Sequence, residues 1–264
     1  MKIKVIIVLI GLLVNQLYSQ NGIIYYEYTD AIGVGDGNGM VYNAYTMFTK
    51  NKSYYVVAKD SLENSISKDR AKDHYQNADG SKNSITNGLV LTTQGEQVVC
   101  NYDTKEMWSN IYDGKHVYIK EELPKFNWKI TKKKKKIASF DCILGETTFR
   151  GRTYYAWYTP SIPVYSGPWK LNGLPGLILE AYDEGKYLKW EFKSYKFPVD
   201  FKQNYTIRKA KGEKVKFLNI DGFKEYCLNK IESDFDRLII IAKDHPGMTP
   251  IKEPMTSYYL ESFE

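Results

Sequence analysis

Histidine is the side chain most often used for metal binding and for general acid–base chemistry near neutral pH. The chain contains three, His74, His116 and His245, and none has a second histidine three or four residues away. Such a spacing would place two imidazoles on one face of a helix, where they can bind zinc together. We therefore predict no metal-binding residues.

Carboxylates and nucleophiles form no recognisable catalytic motif either. Glu121 and Glu122 are adjacent, as are Asp183 and Glu184, so in a strand the members of each pair point in opposite directions. There is no G-x-S-x-G elbow, H-E-x-x-H helix or P-loop. The segment Asp36-Gly-Asn-Gly39 spaces its oxygens as in a calcium loop, but it has a single carboxylate and is better interpreted as a turn. We predict no catalytic residue, no cofactor-binding residue and no cofactor.

The N-terminus is typical of a secretory signal peptide covering residues 1–20. Lys2 and Lys4 precede an apolar run from Val5 to Val14, which is shorter than the ~20 residues a membrane-spanning helix needs. No cysteine lies near the cleavage region, so we expect an exported protein that is not lipid-anchored. Its location is then the periplasm or the extracellular space, and no later segment is long and apolar enough to span a membrane.

The overall charge is mildly basic. The formal value of +6 falls to +4 when Lys2 and Lys4 are removed. So small an excess does not predict a nucleic-acid partner, and export argues against one. Tyrosine is abundant, with 23 copies, and it suits half-buried antiparallel strands in which the ring packs and the hydroxyl meets water.

Three cysteines in an oxidising compartment leave at least one thiol unpaired. Cys100 and Cys142 both fall in strand-like segments, so they are the candidates for a disulfide. Cys227 lies on the apolar side of a predicted helix, where a buried, inert thiol is favoured.

Alternating apolar residues and turn signals predict a long antiparallel meander followed by one helix, a mostly β fold of the α+β class. We expect one β-rich domain over residues 21–245, interrupted at 59–87 by a polar, flexible insertion. A helix is predicted at 221–243, capped by Asp221, and residues 246–264 read as a tail. The predicted strands are, by residue number, 23–29, 41–49, 54–58, 97–102, 106–112, 116–120, 128–130, 137–140, 142–149, 152–159, 177–182 and 186–196.

Two basic groups have ordinary structural interpretations. Lys132–Lys136 joins two predicted strand segments, and its charges would protect an exposed sheet edge or attract an anionic surface. Arg150 and Arg152 are expected to form structural ion pairs with Glu180 or Glu146.

The most distinctive stretch is a corner that leads directly into a strand. Pro175 fixes φ, and the flanking Gly173 and Gly176 allow backbone angles that other residues avoid. The aromatic residues nearby favour a core, with a binding cleft as the alternative. In that alternative the candidate ligand contacts are Trp157, Tyr158 and Trp169.

These blocks resemble the GLPGLI family, also called Porph_ging. The residues that carry the resemblance are Ile137…Cys142, Phe149-Arg-Gly-Arg152, Trp157-Tyr-Thr-Pro-Ser-Ile-Pro163, Gly167-Pro-Trp169 and above all the motif Gly173, Leu174, Pro175, Gly176, Leu177 and Ile178. The resemblance implies an exported, β-rich protein of Bacteroidetes-type bacteria, with no assigned activity and no catalytic residues. In architecture alone, the order of strands with a late helix resembles the curved half-barrels of periplasmic lipoprotein carriers.

The sequence leaves three functional hypotheses. The first is a non-enzymatic binding or carrier module for an apolar or peptide-like ligand. The second is a structural accessory with an outer-membrane transporter or envelope complex as its protein partner. The third is a hydrolase, which predicts a cleft that brings His116 or His245 close to a carboxylate.

Overall fold

The computed structural model describes residues 21–32, 39–57, 95–199, 205–209, 212, 214–245, 247–252, 254–257 and 259–263. The predicted signal peptide, the predicted insertion at 59–87, His74 and Asp36 lie outside these residues. Within them, no helix is long and apolar enough to cross a membrane.

A single twelve-stranded sheet dominates the described part of the chain, in the order β12-β6-β5-β4-β3-β2-β1-β11-β10-β9-β8-β7. Two antiparallel meanders, β1–β6 and β7–β11, are joined by pairing of β1 with β11. The short β12 adds to β6 in parallel. The predicted mostly β fold is confirmed. The strand bounds are β1 Gly22–Asp30, β2 Met40–Phe48, β3 Lys52–Val57, β4 Glu96–Asn101, β5 Glu106–Tyr112, β6 His116–Glu122, β7 Lys129–Ile137, β8 Phe140–Phe149, β9 Arg152–Thr159, β10 Leu177–Asp183, β11 Leu188–Lys196 and β12 Phe217–Leu218.

The sheet curls strongly. Arg150, at the turn after β8, forms an ion pair with Glu121 near the end of β6. These two strands lie nine positions apart in the sheet, so a flat sheet would separate them by about 40 Å. Their contact requires the sheet to bend back on itself. β12 and β7 remain the free edges, which gives an open, curved meander.

The Gly173–Ile178 corner packs on this sheet and is neither helical nor loose: four of its residues are buried, whereas Gly173 and Pro175 are exposed. The N–H of Leu177 donates to the carbonyl of Ile162 at 2.9 Å, and Tyr26 on β1 donates its hydroxyl to the carbonyl of Ile178 at 2.7 Å. A side chain at Gly176 would place its Cβ 2.2 Å from the carbonyl oxygen of Thr159. Close backbone approach therefore requires glycine here.

One α-helix, α1 (Ile220–Asp244), follows β12. The predicted position is confirmed, but the predicted cap is wrong. The N-cap is Asn219, whose side chain accepts from the N–H of Gly222 at 2.9 Å, while Asp221 lies in the first turn near the positive helix end. The helix packs on the inner face of β6 through three buried residues, Phe223, Cys227 and Ile231.

Two segments differ from their predicted roles. Lys132–Lys136 does not join two strands: it lies inside β7, which is an edge of the sheet, as the edge-protection interpretation requires.

Part of the predicted tail is packed, since Met255 opens a short 3-10 helix (Met255–Ser257) and is fully buried, as is most of Glu261. The tail was not recognised because its few apolar residues show no periodicity.

The predicted bridge between Cys100 and Cys142 does not form, because both thiols are free and buried. Cys100 is on β4 and Cys142 on β8, seven positions apart in the sheet. A disulfide needs Cα atoms within about 7 Å. Membership of a strand says nothing about strand order, and the prediction failed for that reason. Cys227 is a buried free thiol, as expected.

Candidate functional site

A cavity of about 400 Å³ lies inside the curl. Its floor is the inner face of β1, β3, β4 and β5, and its roof combines the loop after β9, helix α1 and the C-terminal segment. Its lining includes Tyr28, Asp30, Ile32, Tyr55, Glu96, Val98, Ser109, Ile111, Asp113, Trp169, Lys170, Phe223, Lys230, Ile231, Asp234, Tyr259, Leu260 and Glu261. The cavity size is within the range of small-molecule sites.

Trp169 reaches the cavity because the loop 160–176 is tied to the sheet at both ends. Thr46 on β2 donates to the carbonyl of Gly167 at 3.0 Å, and the Trp128 indole donates to the carbonyl of Asn172 at 2.8 Å. Between these ties Trp169 has φ +49, a left-handed conformation that costs about 1 kcal/mol or more for a residue with a Cβ. The fold holds this residue in an unfavourable conformation at the cavity wall.

The Trp169 ring extends an aromatic stack that supports the cavity. Trp169 stacks on Trp190 with centroids 6.2 Å apart, and Trp190 stacks on Tyr28 at 5.1 Å. The buried Trp190 indole donates to the hydroxyl of Tyr55 at 2.8 Å. These contacts give the Trp190 indole N–H a partner and fix the orientation of the rings, so the wall is organised before any ligand arrives.

Two carboxyl groups face the cavity from the strands. Burial, together with the charge of Asp30, raises the pKa of Glu96 to about 8. The backbone N–H of Tyr112, which donates to this carboxyl at 3.1 Å, lowers the pKa but does not outweigh burial. Burial also raises the pKa of Asp30, although this carboxyl accepts from the hydroxyl of Tyr28 and the N–H of Ile32, both at 3.0 Å. At neutral pH the pair therefore holds a proton, mostly on Glu96.

Ser109 adds an unused polar group on β5. Its side chain lines the cavity beside Val98, its register partner on β4. The residue is 3 % exposed, and its Oγ has no hydrogen-bond partner among the described residues. A buried hydroxyl left unpaired costs about 1–3 kcal/mol, so this position is one that a bound ligand can satisfy.

A buried ion network closes the roof. Lys170, only 2 % exposed, donates to Glu121 at 2.9 Å and to Glu261 at 2.7 Å, and Arg150 pairs with the same two carboxylates. Burial alone would raise the pKa of Glu121, but Lys170 and Arg150 outweigh it and hold this pKa below its usual value. Opposite charges balance within the network, which joins β6, the β8–β9 turn, the loop and the C-terminal segment.

The family match falls on the chain that builds this roof. Residues 144–180 match the family model described as "Protein of unknown function (Porph_ging)". Over these residues, here called the GLPGLI segment, the chain is similar to that family. The segment runs from β8 through β9 and the loop to β10, so the corner, Trp169 and Lys170 all belong to it.

Two solved structures with similar coordinates are "Structure of PNGF-II in C2 space group" and "Structure of PNGF-II in P21 space group". Each is 17% identical, with TM-scores of 0.49 and 0.48, and the match covers 78% of this chain and 32% of that chain. The chain thus spans about a third of the length of PNGF-II. These values are too low for a functional comparison. No curated protein matches the chain in sequence.

Of the three predicted ligand contacts, the structure places one at the cavity. Trp169 lines it, whereas Trp157 and Tyr158 do not. Trp157 lies on the other face of β9, under the ammonium of Lys135 at 4.8 Å, and Tyr158 is part of the core. The core interpretation is therefore right for Tyr158. Contact of Trp169 with a ligand stays a prediction.

The predicted ion pairs of the GLPGLI segment form with other partners. Arg150 pairs with Glu121 and Glu261, and Arg152 with Asp183 at 3.1 Å. Glu180 instead pairs with Lys135 on the edge strand. The expected partners were chosen for closeness in sequence, and the curl of the sheet brings more distant carboxylates nearer.

His116 and His245 do not line the cavity. His116 makes a hydrogen bond with Asn110 at 3.1 Å, and His245 follows the end of α1. The described residues contain no group of three or more metal-ligating side chains placed to hold a metal ion.

Sequence reasoning missed Asp30, Glu96 and Ser109, although a signal for the first two was present. Glu96 is in phase with Val98 and Cys100, so period two places its carboxyl on the inner face of β4. Asp30 is likewise in phase with Tyr28 on β1. A carboxylate at an inward position of an apolar strand indicates a functional or paired group.

Proposed function

We propose that this protein is an exported, non-enzymatic binding module that holds a small peptide-like ligand in the inner cavity. The observation that carries the proposal is the cavity itself, which combines aromatic walls with the unpaired hydroxyl of Ser109 and the carboxyl groups of Asp30 and Glu96. Its wall elements are held by hydrogen bonds and ion pairs within the protein, as expected for a preformed site. Binding of this kind requires no reaction centre.

The lining favours a peptide-like ligand over a purely apolar one. An acyl chain would fill the space between Tyr28, Tyr55 and Trp169, but it would leave the Ser109 hydroxyl unpaired and Glu96 with only the hydrogen bond from Tyr112. Covering polar groups without pairing them costs free energy, whereas amide and amine groups of a peptide would pair with them. Aromatic rings accept the apolar side chains of the same ligand.

Calorimetric titration of the purified protein with the dipeptide amide Leu-Phe-NH₂ and with palmitate tests this proposal. We expect the dipeptide to bind and palmitate not to bind. Trp169→Leu removes part of the cavity wall, and Ile32→Trp fills the rim of the cavity. Each variant should weaken dipeptide binding tenfold or more. Trp157→Leu is the matched control and should leave it unchanged. Binding of palmitate alone, or equal losses in the control and the cavity variants, would overturn the proposal.

A structural accessory role is the second candidate, and the edge strand favours it. β7 presents Lys132–Lys136 to solvent along a free sheet edge, and Ile130 on the same strand is exposed. In-cell cross-linking from β7 should then trap one persistent envelope partner. Replacing these lysines by serine should abolish that cross-link while dipeptide binding persists; a cross-link that survives the replacement contradicts this role.

A further inference from the structure

We propose that the ligand carries a primary ammonium group, which binds in the cavity at the carboxyl groups of Asp30 and Glu96, with the hydroxyl of Ser109 as a further acceptor. This inference rests on the proposed function, because it specifies the ligand of the same cavity. It assigns to three side chains a role for which no sequence motif exists.

The charge of the cavity supports a cation. Among the described lining residues, five are acidic and two are basic, in a chain whose formal charge is +6. Both lysines already have partners: Lys170 pairs with Glu121 and Glu261, and Lys230 pairs with two aspartates, Asp113 and Asp234. Among the described lining residues, the acidic side chains that have no basic partner are Asp30 on β1 and Glu96 on β4.

Asp30 and Glu96 make no ion pair within the described residues. The nearby Arg152 is directed to Asp183, with 3.1 Å between the guanidinium and the carboxylate. Asp30 accepts two hydrogen bonds and Glu96 accepts one, so carboxylate oxygens remain available. An ammonium group has three donors, and the unpaired Ser109 Oγ on β5 supplies a further acceptor in the cavity lining.

Proton displacement follows from the charge state of this pair. With its pKa raised to about 8 by burial, Glu96 is about nine-tenths protonated at pH 7 in the free protein. A bound ammonium favours the carboxylate, so the proton leaves to the buffer. The titratable and charged groups that line the cavity around this pair are Tyr28, Tyr55, Tyr112, Asp113, Lys170, Lys230, Asp234, Tyr259 and Glu261.

Three probes distinguish the ammonium from the rest of the ligand and identify its source. Leu-Phe-NH₂ has a free amino terminus, N-acetyl-Leu-Phe-NH₂ has the same apolar part without charge, and N-acetyl-Leu-Lys-NH₂ carries the ammonium on a side chain. Calorimetry in buffers of different ionisation enthalpy gives affinity and the number of protons released. At pH 7 we expect at least one ammonium probe to bind tenfold or more tightly than the acetylated dipeptide, with release of about 0.9 proton. The tighter of the two identifies an amino terminus or a lysine as the source.

Between pH 6 and pH 7 the affinity for that ammonium probe should rise close to tenfold, because the proton on Glu96 is released more easily while the amine stays charged. Glu96→Gln keeps the shape of the neutral side chain and should fold normally. It should abolish both the pH dependence and the proton release and weaken binding tenfold or more. Glu122→Gln, at an exposed position, is the matched control and should behave as wild type.

The outcomes separate this inference from the proposed function. Equal binding of charged and acetylated dipeptides without proton release would overturn the ammonium site and leave the binding module intact. Failure of all three probes would overturn both. An ammonium preference that persists unchanged in Glu96→Gln would also overturn the assignment of the site.

Discussion

The buried carboxyl of Glu96 predicts a specific dependence of stability on pH, which needs no knowledge of the ligand. Its pKa rises from 4.5 to about 8 on folding, mainly through burial. An acid whose pKa is raised in the folded state contributes fully to stability below pH 4.5, and this contribution is lost as the pH rises towards 8. In this window the unfolded chain releases the proton and the folded protein retains it. Glu96→Gln removes the titration while keeping the side-chain volume and an acceptor for the N–H of Tyr112.

The size of the effect follows from the shift. Each pKa unit corresponds to about 1.4 kcal/mol, so Glu96 lowers the free energy of unfolding by about 3 kcal/mol at pH 7 and about 5 kcal/mol above pH 8. These are upper values, because Glu96 is half-buried and its carboxylate keeps part of its contact with solvent. Urea unfolding followed by tryptophan fluorescence should show wild type and Glu96→Gln equally stable at pH 4.5, with the variant gaining as the pH rises. Glu122→Gln should follow the wild-type curve. If Glu96→Gln also runs parallel to wild type across this range, the carboxyl is solvated and the reasoning is wrong.

Three further predictions concern the framework of the site. Gly176→Ala should cost more than 3 kcal/mol in urea unfolding, since the new Cβ would lie 2.2 Å from a backbone oxygen, whereas Gly173→Ala, with open space around it, should cost about 1 kcal/mol. Lys170→Met should cost about 3–5 kcal/mol because the two buried carboxylates, Glu121 and Glu261, then share the single charge of Arg150, while Lys120→Met, in an exposed pair, should cost under about 1 kcal/mol by the same measurement. The three cysteines should resist a thiol reagent in the folded protein and give three free thiols in denaturant; a count of one would mean that a disulfide forms.

Local chemistry explains which parts of the fold could be predicted. The hairpin of β5 and β6 was recognised from Asp113-Gly114, and Gly114 does adopt a positive φ of +66. The corner at Gly173–Ile178 was recognised in the same way, from proline and glycine beside an apolar run. Helix α1 was recognised from apolar residues four apart. Each of these depends on residues within one turn or one strand.

What was missed depends on strand order and curvature, which no local pattern contains. Pairing of β1 with β11 joins residues about 160 positions apart, and the approach of Arg150 to Glu121 follows only from the curl. Pairing of strands so far apart in sequence costs chain entropy, and the apolar surface that the whole fold buries offsets this cost. The residues at the contact do not by themselves decide which strands pair. The candidate site was missed for the same reason. Asp30, Glu96 and Ser109 lie on three different strands, and what they have in common is that all three face the inside of the curled sheet.

The arrangement gives the corner a structural role with a functional consequence. None of its six residues lines the cavity, yet the loop that it terminates carries Trp169 and Lys170 into the roof. Trp169 holds an unfavourable φ in a loop that is tied at Gly167 and at Asn172, and the corner begins directly after the second of these ties. Lys170 then joins that loop to the C-terminal segment through Glu261. A substitution in the corner should therefore displace the wall of the cavity, although no residue of the corner lines the cavity.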